Sequence, residues 1–344
     1  MKTSEFVEQV ICAGRREHQS RKTWQCYAGW ARRFALWLGA HTALHDESAE
    51  VKVSLYLAHL ATRPAGCSPV TQKQALNALV FAYGKGLGKP LGQMPDWVKP
   101  QERRKLPVWL SRGEFDRLAR HLDGACLEIA QLMFGAGPRL NEALKLRIKD
   151  IDFDTRMVII RGGKGDKDRT TCLPITLISV LRERMARLHD LWQADREQNL
   201  PGVWLPDSVA RKYPNAGQEW PWQFVFPGRS PSRDPETGIV RRHHLHEDTL
   251  AKALKRAAVM ARLSKRITVH TLRHSFATAY LENGGSIHKL KELLGHSHLE
   301  TTEIYTHCIT KFASEVCSPL DVRPLNVVPF EIMAEVQSST RRMA

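Results

Sequence analysis

A mainly α-helical protein of two domains, with one small β-sheet confined to the second, is the fold class that the sequence predicts. Three observations carry this. Apolar residues recur at helical spacing through most of the first hundred positions. The pattern then fails in a glycine- and proline-rich stretch, and beyond it a single strand–turn–strand signal interrupts further helices. At 344 residues the chain is long enough for two domains with their own cores, and a hydrophobic content of 42% is ordinary for a globular protein.

In chain order, Trp24, Tyr27, Ala31, Phe34 and Leu38 mark one helical stripe, and Leu57 and Leu60 mark a second. A third segment, from Val70 to about Tyr83, carries Leu76, Leu79, Val80 and Tyr83 on one side. We read these aromatic and aliphatic residues as core. Arg21, Lys22, Arg32, Arg33, Lys73 and Gln74 point the other way and give the bundle a basic side, although a solvated face has the same composition. Arg21, Lys22 and Lys73 are the candidate DNA contacts of this part.

Periodicity fails between about Gly84 and Pro107, where GKGLGKPLGQMPDWVKP precedes QERRKLP. Within it we place the linker at 96–106, after a first domain at 1–95. Arg103, Arg104 and Lys105 could lie along a phosphate backbone, and two domains joined here could close around a duplex as a clamp. Ser111, with Glu114 three positions on, has the spacing of a capping box. A helix follows around Leu127 to Phe134, then MVIIRGGKGDKDRTTCLPI reads as a β-hairpin with a glycine-rich turn. Residues 176–196 read as a charged helix and 202–242 as loop. Helices resume near Asp248 and run past Tyr305, and the tail from Ser318 is weakly patterned.

A net charge of +15 favours a polyanionic partner, because each neutralised phosphate releases condensed counterions. A basic surface kept for solubility would give the same balance. Seven scattered cysteines include no CxxC pair, so neither a disulfide framework nor a thiolate zinc site is indicated. The first residues lack the apolar core of a signal peptide, and no apolar run is long enough for a bilayer. The expectation is a cytoplasmic protein with no membrane role.

Two basic positions stand out before the C-terminal segment. Arg139, in Gly-Ala-Gly-Pro-Arg-Leu-Asn-Glu, sits where a loop turns into a helix and could fork two phosphate oxygens. Lys164 lies in the hairpin turn, which lacks the Lys-Ser/Thr ending of a nucleotide P-loop. Taken singly, the first reads as a helix-end arginine and the second as a flexible turn. The stretch HTLRHSFATAYLENGGSIHKLKELLGHSHLETTEIYTH is harder to set aside. His270 and Arg273 share a helix face, His296 follows in Leu-Gly-His-Ser, and Tyr305 comes nine positions later. One oxygen nucleophile and several cations could attack and stabilise a phosphodiester, with no acidic cluster to hold a metal.

Arg139, Lys164, His270, Arg273, His296 and Tyr305, with the flanking text Leu272-Arg273-His274-Ser275-Phe276-Ala277-Thr278, resemble in order the signature of the tyrosine recombinase (phage integrase) family. The resemblance is strong over the catalytic half and architectural only over the N-terminal half. It implies a two-domain C-shaped DNA clamp: a helical, SAM-like core-binding domain, a catalytic domain over 107–317, and a tail over 318–344. It also implies a 3′-phosphotyrosyl intermediate on Tyr305, with no metal, ATP or other cofactor. A phenol with an ordinary pKa of about 10 is a poor nucleophile until a neighbour takes its proton. Arg139 and Arg273 suit the non-bridging oxygens, where losing a donor typically costs roughly 3–4 kcal/mol in the transition state. His296 suits a further donor to the phosphate, Lys164 the acid at the departing 5′ oxygen, and His270 the proton acceptor or positioner near Tyr305. Glu142, on the helix face above Arg139, would hold that arginine from behind. Pro138 and Asn141 depart from the family pattern, but a proline at a helix start costs little.

The stretch over 202–242 and just beyond resembles the extra segment of integron integrases. The likeness lies in Ala210-Arg211-Lys212-Tyr213-Pro214, Trp222-Gln223-Phe224-Val225-Phe226-Pro227 and Arg242-His243-His244-Leu245-His246. The resemblance implies folded single-stranded cassette sites whose unpaired bases meet Trp222, Pro235, His243 and His244, with Arg242 among the DNA contacts. Stacking of this kind is worth about 1–3 kcal/mol per base. Trp204 and Trp220, beside proline turns, read as buried anchors. His243, His244 and His246 have no nearby Cys or paired carboxylates to complete a metal site. Four protomers on two sites, with tail exchange, also follow from the family. The rivals are a Xer-like or phage-type recombinase confined to duplex sites, a non-catalytic DNA-binding relative, and a type IB topoisomerase.

Overall fold

The computed structural model describes residues 2–62, 66–100, 106–162, 168–234 and 237–306. Lys164, Arg103, Arg104, Lys105 and Pro235, together with the tail, lie outside them. The chain divides into two compact units, Met1–Lys105 and Leu106–Ala344.

The first unit is built from α1 (Thr3–Arg16), α2 (Arg21–Ala40), α3 (Ala49–Thr62) and α4 (Pro69–Phe81), the last running on into a wider turn over Ala82–Gly86. Three starts are capped by serine, with Ser48 Oγ accepting from the Val51 main-chain N–H at 3.3 Å ahead of α3. Ser20 Oγ accepts from the Thr23 main-chain N–H at 3.2 Å, and Ser68 Oγ from that of Thr71 at 3.1 Å, with Pro69 opening the helix. Phe6, Val10, Trp30, Ala31, Phe34, Tyr56, Leu57, Leu60 and Leu79 form the core. The α2 stripe is shifted from the expected one, because Trp30 is buried while Trp24 and Leu38 are half-buried. In α4 the expectation for Val80 fails, since it is 47% exposed. Ala75, Ala78, Leu79 and Ala82 carry the buried face instead, and small side chains at that spacing fix a close helix contact that a search for large apolar residues overlooks. Arg21, Lys22 and Lys73 are exposed.

The second unit comprises α5 (Arg112–Ala119), α6 (Gly124–Ala136), α7 (Leu140–Leu144), β1 (Ile151–Asp152), β2 (Met157–Ile160), β3 (Arg169–Cys172), α8 (Ile175–Glu197) and α9 (Asp207–Lys212). These are followed by β4 (Ser232–Arg233), β5 (Val240–Arg241), α10 (Glu247–Met260), α11 (Val269–Glu282), α12 (Ile287–Leu294) and α13 (Glu300–Glu303). α5 opens with the Ser111–Glu114 capping box. The hairpin is there: β2 and β3 pair antiparallel with Val158 opposite Thr171 and Ile160 opposite Arg169, and β1 adds a third strand. Val158, Ile160 and Thr171 turn into the core, and period-two alternation puts Arg169 on that same face at the start of β3. α6 and α11 lie at the centre of the unit, with Ile129, Leu132, Met133 and Leu272 fully buried.

The described part of 202–242 contains α9, β4 and β5 rather than loop alone, and Arg147 fastens it at two points. Its guanidinium donates to the carbonyls of Trp222 and of Trp204, the latter at 2.8 Å. Trp204 and Trp220 are half-buried rather than core: Trp220 packs on His189 and Trp192 of α8, and Trp204 lines a cavity. Arg242 is corrected as a DNA contact. It is 8% exposed and pairs with Asp195 through Nε and Nη2, each at 2.6 Å, while Nη1 donates to the Gly228 and Arg229 carbonyls. A guanidinium spent on four internal acceptors holds the segment to α8. No helix among the described residues is long and apolar enough to cross a membrane.

Candidate active site

Two left-handed glycines shape the site. Gly137 ends α6 at φ 72° and Gly295 ends α12 at φ 63°, a conformation that glycine adopts without strain. Each carbonyl in these turns serves an arginine. Gly137 O accepts from Arg273 Nη1 at 2.7 Å, and Gly295 O accepts from Arg139 Nη2 at 3.4 Å. A methyl group on Gly137 would stand 2.3 Å from the Phe276 ring, so the turn also closes on α11.

Arg139 is the N-cap residue of α7. Pro138 lies outside the helix and removes no helical hydrogen bond. Glu142 reaches back and accepts from the Arg139 main-chain N–H at 2.7 Å and from its Nη1 at 2.8 Å. The same carboxylate takes two bonds from Arg169, at 3.0 and 2.6 Å, and Arg169 Nε donates to Leu293 O at 2.9 Å. Burial alone would raise the Glu142 carboxyl, but hydrogen bonds from Arg169 and from the Arg139 main chain hold it at about 2. Glu142 is therefore an anion shared between cations. Arg273, 4% exposed, is pulled down to about 10 by burial and by the neighbouring charge of Arg139, against the pull of Glu142, and it stays cationic at neutral pH.

Arg273 also ties the next residue of the constellation. Its Nη2 donates to Leu294 O and lies 3.1 Å from His296 Nε2. His296 Nδ1 is 2.9 Å from Thr302 Oγ1, one turn ahead of Tyr305. Tyr305 is 2% exposed and packs with Phe276, Ala277, Leu290 and Leu294. The described residues thus bring Arg139, Glu142, Arg273, His296 and Tyr305 into one bonded cluster, and His270 stands at its edge.

The expected partner of the tyrosine is corrected. The Tyr305 hydroxyl is hydrogen-bonded to His274 Nδ1 at 2.9 Å. His270 is exposed at the start of α11, its ring 6.4 Å from that of His274. The two histidines are four apart on one face, and the second lies a turn deeper, where the tyrosine packs. Burial first, then the charges of His270 and Arg273, pushes the His274 imidazole down to about 4, so it is neutral near pH 7. Sequence reasoning missed His274, Arg169 and Thr302. The signals were in view for the first two: His274 follows Arg273 directly, and Arg169 closes the Lys-Asp-Arg run of the hairpin.

Beside the hairpin lies a cavity of about 720 Å³ lined by Arg147, Lys149, Trp204, Trp222, His243 and His244. Gly162 and Asp168, which flank the hairpin turn, border it as well. One face of Trp222 is covered, with Lys149 Nζ 2.7 Å from the ring centroid. His243 Nε2 is buried without a hydrogen-bond partner among the described residues. His244 is lowered mainly by burial and stacks edge-on against Phe224 at 5.5 Å. The described residues contain no group of three or more His, Cys, Asp or Glu able to hold a metal ion.

The phage integrase family matches residues 110–311, and the N-terminal SAM-like domain of phage integrases matches residues 6–93. An integrase/recombinase of Escherichia coli is 43% identical over 307 residues, spanning 89% of this chain and 90% of that protein. The tyrosine recombinase XerA of Thermococcus kodakarensis is 31% identical over 297 residues, spanning 84% and 86%. Among solved structures, the XerH site-specific recombinase bound to a palindromic difH substrate in a post-cleavage complex superposes with a TM-score of 0.58 at 22% identity, covering 87% of this chain and 80% of that one. The Tn1549 transposon integrase in complex with transposon right end DNA gives 0.57 at 14% identity, covering 92% and 98%. At such identities the structural likeness speaks for the fold.

Proposed function

Given that this chain belongs to the phage integrase family of tyrosine recombinases, we propose that it is an integron integrase which cuts and rejoins strands through Tyr305 at folded single-stranded cassette sites. The observation that carries the chemistry is the bonded cluster in which Arg273 joins His296, and His296 joins the turn that bears Tyr305. In this reading the Tyr305 hydroxyl passes its proton to His270, directly or through solvent, as its oxygen attacks phosphorus in line, a P–O(Tyr) bond forms, and the bond to the 5′ oxygen breaks. Lys164 gives the departing oxygen its proton. Arg139 and Arg273 hold the non-bridging oxygens, since a guanidinium has five donors and the bonds named above leave others for phosphate. His296 donates to the phosphate once its Nε2 carries a proton. Glu142 keeps Arg139 aimed before DNA arrives. The phosphodiester energy is kept in the protein–DNA bond, so the same cluster run in reverse reseals the strand.

Trp222, His243 and His244 facing one cavity supports the hairpin part of the reading, because a room of that size beside the hairpin suits an unpaired base. The part of Trp222 that lines the cavity would stack on it. Arg21, Lys22, Lys73, Arg103, Arg104 and Lys105 would hold the phosphate backbone, Pro235 would join the base contacts, and four protomers would assemble on two sites. A second reading, a Xer-type recombinase confined to duplex sites, has its own support in the XerA likeness.

The discriminating experiment offers the full chain two randomised pools at one stated salt concentration, nicked duplexes and self-complementary hairpins carrying extrahelical bases. Preferential covalent capture of hairpins, lost in Trp222→Ala, is the expected result. Capture of duplexes alone, unaffected by Trp222→Ala, would assign the chain to the second reading.

A further inference from the structure

The buried tyrosine hydroxyl has a specific imidazole partner outside the expected six residues. His274 Nδ1 lies 2.9 Å from Tyr305 Oη, and the two rings are 5.6 Å apart at 49°. Phe276, Ala277, Leu290 and Leu294 pack with the tyrosine ring, and Arg273 is near enough for its charge to be felt there. Apolar packing fixes where a ring sits but not where its oxygen points, because dispersion and the hydrophobic effect are non-directional. A hydrogen bond loses strength steeply with misalignment and so sets that direction. His274 lies in α11 next to Arg273, whose guanidinium is tied to Gly137, Leu294 and His296, and its ring packs beside that of Tyr305.

We propose that His274 is a positioning residue for strand cleavage, setting the aim of the Tyr305 hydroxyl through its Nδ1 and leaving the exposed His270 to face the DNA. This rests on the reading of Tyr305 as the nucleophile. The contribution is geometric rather than proton transfer: a buried ring held neutral down to about 4 is a weak base for a phenol. A misplacement of about 1 Å in a reacting group can cost on the order of 100-fold in rate, which sets the scale of the effect.

The test uses the full chain and the oligonucleotide that the wild type captures most from the randomised pools. Single-turnover adduct formation is measured for Tyr305→Phe, His274→Ala and His274→Asn, with DNA affinity and melting temperature alongside. Asparagine can present a hydrogen-bonding atom near the place of Nδ1. His274→Ala is expected to lower the cleavage rate about 10- to 100-fold at saturating protein with DNA affinity within about twofold of wild type, and His274→Asn to restore most of it. If His274→Ala does not fold, His274→Asn decides by itself, near-wild-type cleavage supporting the role and a rate as low as that expected for alanine overturning it. Unchanged or faster cleavage in folded His274→Ala would overturn the proposal, as would equal losses in both variants. An adduct in Tyr305→Phe would instead remove the nucleophile reading beneath it. A DNA-free readout is the fluorine-19 resonance of 3-fluorotyrosine at position 305: it is expected to shift in His274→Ala and return in His274→Asn, and an unmoved signal would count against the proposal.

Discussion

Arg169 and Glu142 form a two-point ion pair, Nη1 to Oε1 at 3.0 Å and Nη2 to Oε2 at 2.6 Å. The carboxylate that Arg169 grips also receives Arg139, so one buried anion organises cations from α7 and β3. Arg169 Nε meanwhile holds the end of α12, just ahead of the Gly295–His296 turn. The arginines proposed to hold phosphate are thus tied by internal bonds in the DNA-free chain, which is what electrostatic preorganisation requires.

Glu142→Gln should expose that dependence. Replacing the anion leaves Arg139 and Arg169 without their charge partner, and breaking a buried pair from one side costs about 3–5 kcal/mol. Urea unfolding should show a loss of that order. Cleavage should fall further than DNA affinity does, because the lost term is the aim of Arg139. A variant as stable as wild type would mean the network adds little to the fold.

Gly137→Ala is expected to destabilise by more than about 1 kcal/mol, as alanine resists a positive φ and its methyl would meet the Phe276 ring. The turn also sets the carbonyl that binds Arg273, so catalysis should decline along with the melting temperature. Thermal unfolding and single-turnover cleavage on the same preparation check both.

Arg242→Ala should act on stability rather than on DNA. It strands Asp195 in a buried position, a lesion of about 3–5 kcal/mol. Double replacement with Asp195→Asn should recover part of the loss. Salt dependence of DNA binding separates the possibilities: an unchanged slope fits an internal role, and a slope reduced by about one would mark a phosphate contact.

The His274 imidazole sits at about 4 against an ordinary 6.5, held down by burial and by His270 and Arg273. As the pH falls, the unfolded chain takes up this proton first. The stability tied to the neutral ring is complete above about 6.5 and is lost progressively toward 4. Melting temperature should therefore drop more steeply across that window in wild type than in His274→Asn. Parallel curves would mean that the ring titrates normally.

Much of this was legible in the residue pattern, and the exceptions have physical causes. The hairpin, the long α8 and the Ser111 cap follow from alternation, periodicity and capping chemistry, all local signals. The bonded cluster draws on residues far apart in sequence, yet Arg139 and Arg273 were visible through the family resemblance, whereas Arg169 was not. Val80 misled because alanines carry the α4 contact, and Arg242 misled because its partner, Asp195, lies 47 positions away on α8. The choice between His270 and His274 turns on depth along one helix face, which spacing alone does not report. Trp222 lines a cavity, and nothing in the residue pattern indicates that Lys149 lies over one side of its ring.

The most direct test of the central claim is to trap the reaction on a nicked site and identify the amino acid that carries the DNA. Wild-type protein should yield a denaturant-resistant adduct whose DNA-bearing peptide contains Tyr305, joined to a 3′ phosphate, and Tyr305→Phe should yield none. An adduct mapped to another side chain, or strand cleavage that persists in Tyr305→Phe, would contradict the account.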